Sequence, residues 1–287
     1  MANRNDRRRS SPQSARAASR LPAMAVAAAL AIAAAGGPAL AADPAAPPPA
    51  GDEAAPPASD WRFQATLYGW ATAVNGDLGI RNLPTVPVDA SLSDVLQNLD
   101  GAVMGSFAAS NGNWLFLADL VLARLSHKET VGRFGRSRLS AELSEAVASG
   151  AVGYVLPLHV PNLEVAVTGG VRYVNLSVDA RLRPTILPSR SASGTQSWLD
   201  PTIGFAAHWA IDEKWFVNAI ADIGGFGVGS ELSSSGYLGV GYMWTPSISS
   251  AIGYRYLYED YKNRSNGNNF RYNTTMHGPT VSLAFHF

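Results

Sequence analysis

The feature that most restricts this chain is a period-two alternation that begins at Trp61 and recurs up to Phe287. In residues 61–67, Trp61, Phe63, Ala65 and Leu67 share one face, and Arg62, Gln64 and Thr66 share the other. Residues 163–173 repeat the pattern, with Leu163, Val165, Val167, Val171 and Tyr173 set against Glu164, Thr168 and Arg172. The last stretch does so again, with Val281, Leu283, Phe285 and Phe287 against Thr280, Ser282 and His286. Successive side chains of a strand point to opposite faces, so each such segment has a dry side and a wet side. A soluble sandwich turns the dry side to a core. A membrane barrel turns it to lipid and lines its lumen with the polar set. Alternation alone does not choose between them.

The turns help to choose. Tight connections at Asn111-Gly112-Asn113, Asp212-Glu213-Lys214 and Thr245-Pro246-Ser247, with a slightly longer one over 157–162, alternate with polar segments at roughly 75–100, 127–138, 182–196, 230–236 and 261–271. Strict alternation of short and long connections is the habit of outer-membrane barrels, whose two ends face different compartments. Both termini then lie at the short-turn end, in the periplasm, and the strand count is even. The expected fold class is all-β: an antiparallel up-and-down transmembrane β-barrel. Ten strands fit best, at about 61–74, 101–110, 114–126, 139–156, 163–181, 197–211, 215–229, 236–245, 248–260 and 270–287; eight or twelve stay open, because long loops can hide or supply a hairpin. Trp114, Trp215 and Trp244 beside the short turns, and the same-face row Tyr254, Tyr256 and Tyr258, suit interfacial anchoring.

Composition agrees. Charged residues make up 15% of the chain, below the roughly 25% of an average soluble domain, and mean hydropathy is +0.01. Past the N-terminal stretch no apolar run is long enough for a spanning helix. There is no cysteine, which fits an oxidising compartment. Residues 1–41 carry six Arg and one Asp, so the rest holds 16 basic against 21 acidic residues, a net charge of −5. No clustered basic face suggests nucleic acid as a partner.

The N-terminus reads as an export signal. Arg4, Arg7, Arg8, Arg9, Arg16 and Arg20 precede an Ala-rich apolar stretch, then Gly36-Gly37-Pro38 and the small-residue site Ala39-Leu40-Ala41, with cleavage expected after Ala41. The Arg run does not make this a twin-arginine substrate, since that route carries cargo folded in the cytoplasm. Residues 42–60 hold Pro44, Pro47, Pro48, Pro49, Pro56 and Pro57 with no aromatic or β-branched residue. They cannot bury enough surface to offset their ordering entropy, so a disordered periplasmic linker is expected before the barrel at 61–287.

The C-terminal run His277-Gly278-Pro279-Thr280-Val281-Ser282-Leu283-Ala284-Phe285-His286-Phe287 resembles the insertion signal of bacterial outer-membrane proteins. The resemblance rests on His277, Gly278, Val281, Leu283, Phe285 and Phe287. It implies that the last strand pairs edge-on with the barrel-assembly machinery, in the manner of strand addition. Residues 88–100, Trp198-Leu199-Asp200-Pro201, the block Asp222-Ile223-Gly224-Gly225-Phe226-Gly227-Val228-Gly229-Ser230, and Gly253-Tyr254-Arg255-Tyr256-Leu257 resemble a functionally uncharacterised family of proteobacterial outer-membrane barrels. That likeness spans most of 61–287 and implies the fold and location without an activity. It also implies a basic residue just after Gly204, where this chain reads Phe205-Ala206-Ala207.

Six charged residues fall on the expected lumen face: Glu164, Arg172, Asp200, Asp222, Arg255 and Glu259. A buried charge is costly unless paired, and a narrow barrel fills its interior with side chains, so a structural network of ion pairs is the leading assignment and a selectivity constriction the sharper one. The glycines 224, 225, 227 and 229 lack the following helix that a phosphate-cradling loop needs and are expected in a strand. Ser126-His127 is the one pairing that a lipid A deacylase-like hydrolase could use, but neighbours on a strand face opposite ways. Ser91 and Asp94 have capping-box spacing for a short helix over 94–99. No catalytic, cofactor or metal site is expected. The leading expectation is a monomeric Gram-negative outer-membrane barrel, structural or porin-like with a narrow pore for small solutes, touching membrane lipid and not acting as an enzyme. The alternatives are an outer-membrane lipid-modifying hydrolase and a surface ligand-binding or adhesion barrel using the long loops.

Overall fold

The computed structural model describes residues 61–80, 86–131, 137–183, 190–265 and 268–287; the leader and linker expected over 1–60 lie outside them. The elements are β1 (Arg62–Trp70), β2 (Ala73–Ile80), β3 (Val86–Ala90), α1 (Leu92–Asn98), β4 (Leu99–Ser110), β5 (Trp114–Val131), β6 (Ser137–Val155), β7 (Leu163–Arg183), β8 (Arg190–Ala210), β9 (Trp215–Gly224), β10 (Leu232–Thr245), β11 (Ile248–Ser265) and β12 (Asn268–His286). Ten of the strands, β1 and β4 to β12, form a closed antiparallel ring, each paired to the next and β12 paired back to β1. The last residue takes part in the closure. Phe63 N–H donates to the Phe287 carbonyl at 2.8 Å, and Phe287 N–H to the Phe63 carbonyl at 3.0 Å.

Outward-facing residues are apolar over a defined height. On β7 these are Leu163, Val165, Val167, Val171 and Tyr173, followed by Asn175, Ser177 and Asp179. Eleven residues of tilted strand span about 25–30 Å, the thickness of a bilayer's hydrocarbon core. At the short-turn end the wall carries packed aromatic pairs, Trp114 with Tyr154 and Trp215 with Tyr242, at centroid distances of 5.4 and 5.0 Å. The turns themselves are built by side chains. Asn111 Oδ1 accepts from the N–H groups of Asn113 and Trp114, and Asp212 Oδ1 from those of Lys214 and Trp215. Those two donors hold the exposed Asp212 carboxyl below its ordinary pKa.

Three expectations need correction. First, the strand expected over 61–74 stops at Trp70, and the segment expected as a loop over 75–100 contains a hairpin and a helix. β2 continues β1 along β12 in the same register, with Trp70 opposite Thr280 and Ala73 opposite His277, and β3 folds back along β2. The line breaks at Ala71 and Thr72, where Ala71 approaches β12 so closely that a Cβ on Gly278 would collide with the Ala71 carbonyl oxygen. The helix begins at Leu92, two residues before the expected start, under a capping box: Asp94 N–H donates to Ser91 Oγ and Ser91 N–H to Asp94 Oδ2. Both bonds from Ser91, the hydroxyl's first, lower the Asp94 pKa.

Second, β5 to β8, β11 and β12 run 18–21 residues, well past the apolar band and into segments expected as loops. The ladder continues there, as in Asp179 opposite Ser193. Beyond the bilayer both faces meet water, so the pattern disappears while the hydrogen bonds persist.

Third, the strand expected over 215–229 ends at Gly224, and β10 begins at Leu232. The connection is a tight turn over 225–231. Gly225, Phe226 and Gly227 have φ of 87°, 49° and 74°, the left-handed region that a strand does not use.

Candidate functional site

The inward faces of the ring strands build the lumen, which is organised in layers. At the short-turn mouth, Arg62 pairs with Glu164 at 2.9 Å, both well exposed. Just inside it, His208 Nδ1 lies 2.7 Å from Asn218 Oδ1, and His286 Nε2 lies 2.8 Å from Ser249 Oγ.

Two ion pairs form the middle layer. Arg255 Nη2 donates to Asp119 Oδ1 at 2.7 Å, and Arg255 Nη1 and Asp119 Oδ2 both bond the Tyr68 hydroxyl. The guanidinium also lies over the rings of Trp70 and Tyr68, 5.0 and 5.6 Å from their centroids. The second pair joins Arg172 Nη2 to both Asp222 oxygens at 2.7 and 2.8 Å; the Ser235 hydroxyl accepts from Arg172 and donates to Asp222. Arg172 is 4% exposed in its side chain, so this charge depends on its partner.

Above them the interior is apolar, which corrects the expectation of a polar lumen. Val121, Val147, Val174, Leu176, Trp198, Leu257, Tyr261, Tyr272 and Met276 pack with Trp70 into one buried cluster. Trp198 stacks on Tyr261 with ring centroids 4.2 Å apart. Two acids are set into this layer: Glu259 accepts from Trp198 Nε1 at 3.2 Å, and Glu145 from the Tyr272 hydroxyl at 3.3 Å. Inward-facing apolar residues repeat at period two just as lipid-facing ones do, so alternation cannot separate them.

The six charged residues singled out in the sequence thus have different surroundings. Arg172 and Asp222 meet each other. Glu164, Asp200, Arg255 and Glu259 take partners that sequence reasoning did not name: Arg62, Ser230, Asp119 with Tyr68, and Trp198. Asp119 had a readable signal, being the polar residue on the inward phase of β5 between Leu117 and Val121. Position 206, on the inward phase, carries only Ala206, and the carboxylate of Asp222 is matched by Arg172 from β7 instead.

Asp200 belongs to a distinct unit. It is fully buried and accepts from the Ser230 N–H and the Ser230 hydroxyl, each at 2.6 Å. This fastens the β9–β10 turn onto β8. A Cβ on Gly229 would collide with the Leu199 carbonyl oxygen, and one on Gly225 with Ser230 Oγ. Two motifs separated by some 25 residues, Trp198-Leu199-Asp200-Pro201 and the glycine block, are therefore one piece of structure.

The remaining candidates lie apart from the lumen layers. Ser126 faces outward and donates to Asp100 Oδ1 at 2.9 Å, while His127 faces inward, its Nδ1 2.9 Å from Asn98 Oδ1. In β12, Val281, Leu283, Phe285 and Phe287 are exposed on the outer wall, and Gly278 faces inward at the β1–β2 break. His277 faces outward. Among the described residues no group of three or more His, Asp or Glu side chains is placed to hold a metal ion.

No family model matches the sequence, and no curated protein matches it. Solved structures do. The outer membrane protease OmpT from Escherichia coli aligns with a TM-score of 0.50 at 11% identity, over 80% of this chain and 98% of that one. Neisserial surface protein A aligns at 0.34 with 14% identity (80% and 98% covered), and a major outer membrane protein from Thermus thermophilus at 0.36 with 13% (78% and 99% covered). The likeness to OmpT is one of fold: this chain is a closed antiparallel transmembrane β-barrel of ten ring strands, built as outer-membrane proteins are.

Proposed function

We propose that this chain is a plugged barrel of the Gram-negative outer membrane, a monomeric structural or surface protein without catalysis that passes small solutes at most. The carrying observation is the pair of packed layers inside the ring, ion pairs beneath a buried cluster of Trp, Tyr, Leu and Val, which we read as a plug. A ten-stranded ring leaves little more room than an eight-stranded one, whose interior side chains fill it. The termini lie on the periplasmic side, next to the short turns, and the long strands project outward. Bilayer lipid surrounds the apolar band. β12 engages the assembly machinery during insertion, its Val281, Leu283, Phe285 and Phe287 forming the recognised edge with His277 and Gly278.

Reconstitution into planar bilayers tests this. Small or absent current steps are expected, and large stable channels would contradict the plug. Lipid A from cells overexpressing the chain is expected to keep all its acyl chains by mass spectrometry. Loss of a chain that depends on His127 would favour a hydrolase instead.

A further inference from the structure

The outer wall of β11, β12, β2 and β3 changes character at one height. Ile252, Val281 and Leu283 face outward below it and suit lipid. At it, Tyr254 and His277 begin a hydrogen-bonded chain across four strands. The Tyr254 hydroxyl lies 2.7 Å from His277 Nδ1, His277 Nε2 lies 3.1 Å from Asn75 Oδ1, and Asn75 Nδ2 donates to Asp89 Oδ1 at 2.8 Å. The assignment that satisfies every member puts a proton on Nε2, so the neutral imidazole accepts from Tyr254. Both strands outside the ring contribute, Asn75 from β2 and Asp89 from β3.

Beside this chain lies a platform. Tyr256 pairs directly with Gly236 on one side and His277 on the other. A Cβ on Gly236 would run into the Tyr256 ring, so the ring lies down over the glycine. Its other face stays open, with the residue 39% exposed. A flat aromatic face, with an amide held in place by the imidazole beside it and an exposed carboxylate farther along the row, is chemistry that holds a headgroup of linked sugars: ring C–H groups lie on the aromatic face, and hydroxyls bond the amide's and carboxylate's remaining positions. The face sits where the apolar band ends, at the depth of lipid headgroups.

We propose that this face binds the sugar headgroup of a glycolipid in the surrounding leaflet. The inference rests on the outer-membrane reading above. The test places the folded chain in phosphatidylcholine nanodiscs containing rough-type lipopolysaccharide or, in parallel, phosphatidylglycerol, and measures retained lipid by native mass spectrometry. Wild type is expected to keep the glycolipid over phosphatidylglycerol. Asp89→Asn, Tyr256→Ala and Gly236→Ala, which lifts the ring, are each expected to weaken retention about tenfold, the scale of one lost charge-assisted bond. The exposed control Ile252→Leu should not change it. An inserted barrel that keeps both lipids equally, or keeps the glycolipid unchanged in all three variants, overturns this inference alone. A chain that never inserts overturns the membrane reading along with it.

Discussion

The wall of the barrel and its interior are made from alternate residues of the same strands, yet they obey different rules. The wall meets a uniform solvent. Val281, Leu283 and Phe285 each need only be apolar, and one can replace another at small cost. The interior is pairwise: Arg172 needs Asp222, Arg255 needs Asp119, and Asp200 needs Ser230. The difference teaches where this molecule is vulnerable, because a side chain facing lipid has many equivalent neighbours and one facing inward has named ones.

The largest expected effect comes from breaking a single interior pair. Asp222→Leu strands Arg172 where it is almost fully buried, and a loss of about 3–5 kcal/mol is expected from urea unfolding in lipid vesicles. The double variant Arg172→Met with Asp222→Leu is expected to recover most of that loss. If it did not, the pairwise account of the interior would fail.

Next is the wall's one intolerance. Val281→Arg, near the middle of the band, is expected to cost about 2–4 kcal/mol, whereas Val281→Leu should stay within about 1 kcal/mol. Equal effects for Arg and Leu would mean that Val281 does not face hydrocarbon. Asp200→Ala removes both acceptors of Ser230 and is expected to cost about 1–3 kcal/mol. It should also speed hydrogen exchange at Ser230 N–H while leaving the lumen layers protected.

The smallest effect belongs to a turn. Asp212 has a depressed folded-state pKa, from the N–H groups of Trp215 and Lys214. Its contribution is therefore present above the unfolded pKa and lost as pH falls through the folded value. Asp212→Asn is expected to lower stability slightly at neutral pH and to converge with the parent chain in acid, flattening the acid limb.

What could be read in advance follows the same division. The lipid-facing phase was legible from Trp61, Val165 and Leu283, because a uniform solvent imposes a uniform residue type. The short turns were legible because Asn111 and Asp212 act locally. Outer ends of the long strands were not: around Asp179 and Ser193 both faces are wet, so pairing leaves no trace in hydropathy. The turn at Gly225–Ser230 is not legible locally because what fastens it is Asp200, 30 residues before Ser230. Partners such as Asp119 and Arg255 are separated by 136 residues, and only ring closure brings them together. The apolar inner layer is not legible, because Val147, Val174 and Leu257 look the same in sequence whether they face lipid or one another.

The most direct test of the account is the phase of that alternation in a bilayer. Since the chain has no cysteine, single cysteines can be placed one at a time over 279–286 and spin-labelled, and oxygen accessibility can be measured by power saturation. Maxima at 281, 283 and 285, with minima at 280, 282 and 284, are the predicted result. Maxima in the opposite phase, or no oscillation, would contradict a barrel whose apolar face is turned to lipid.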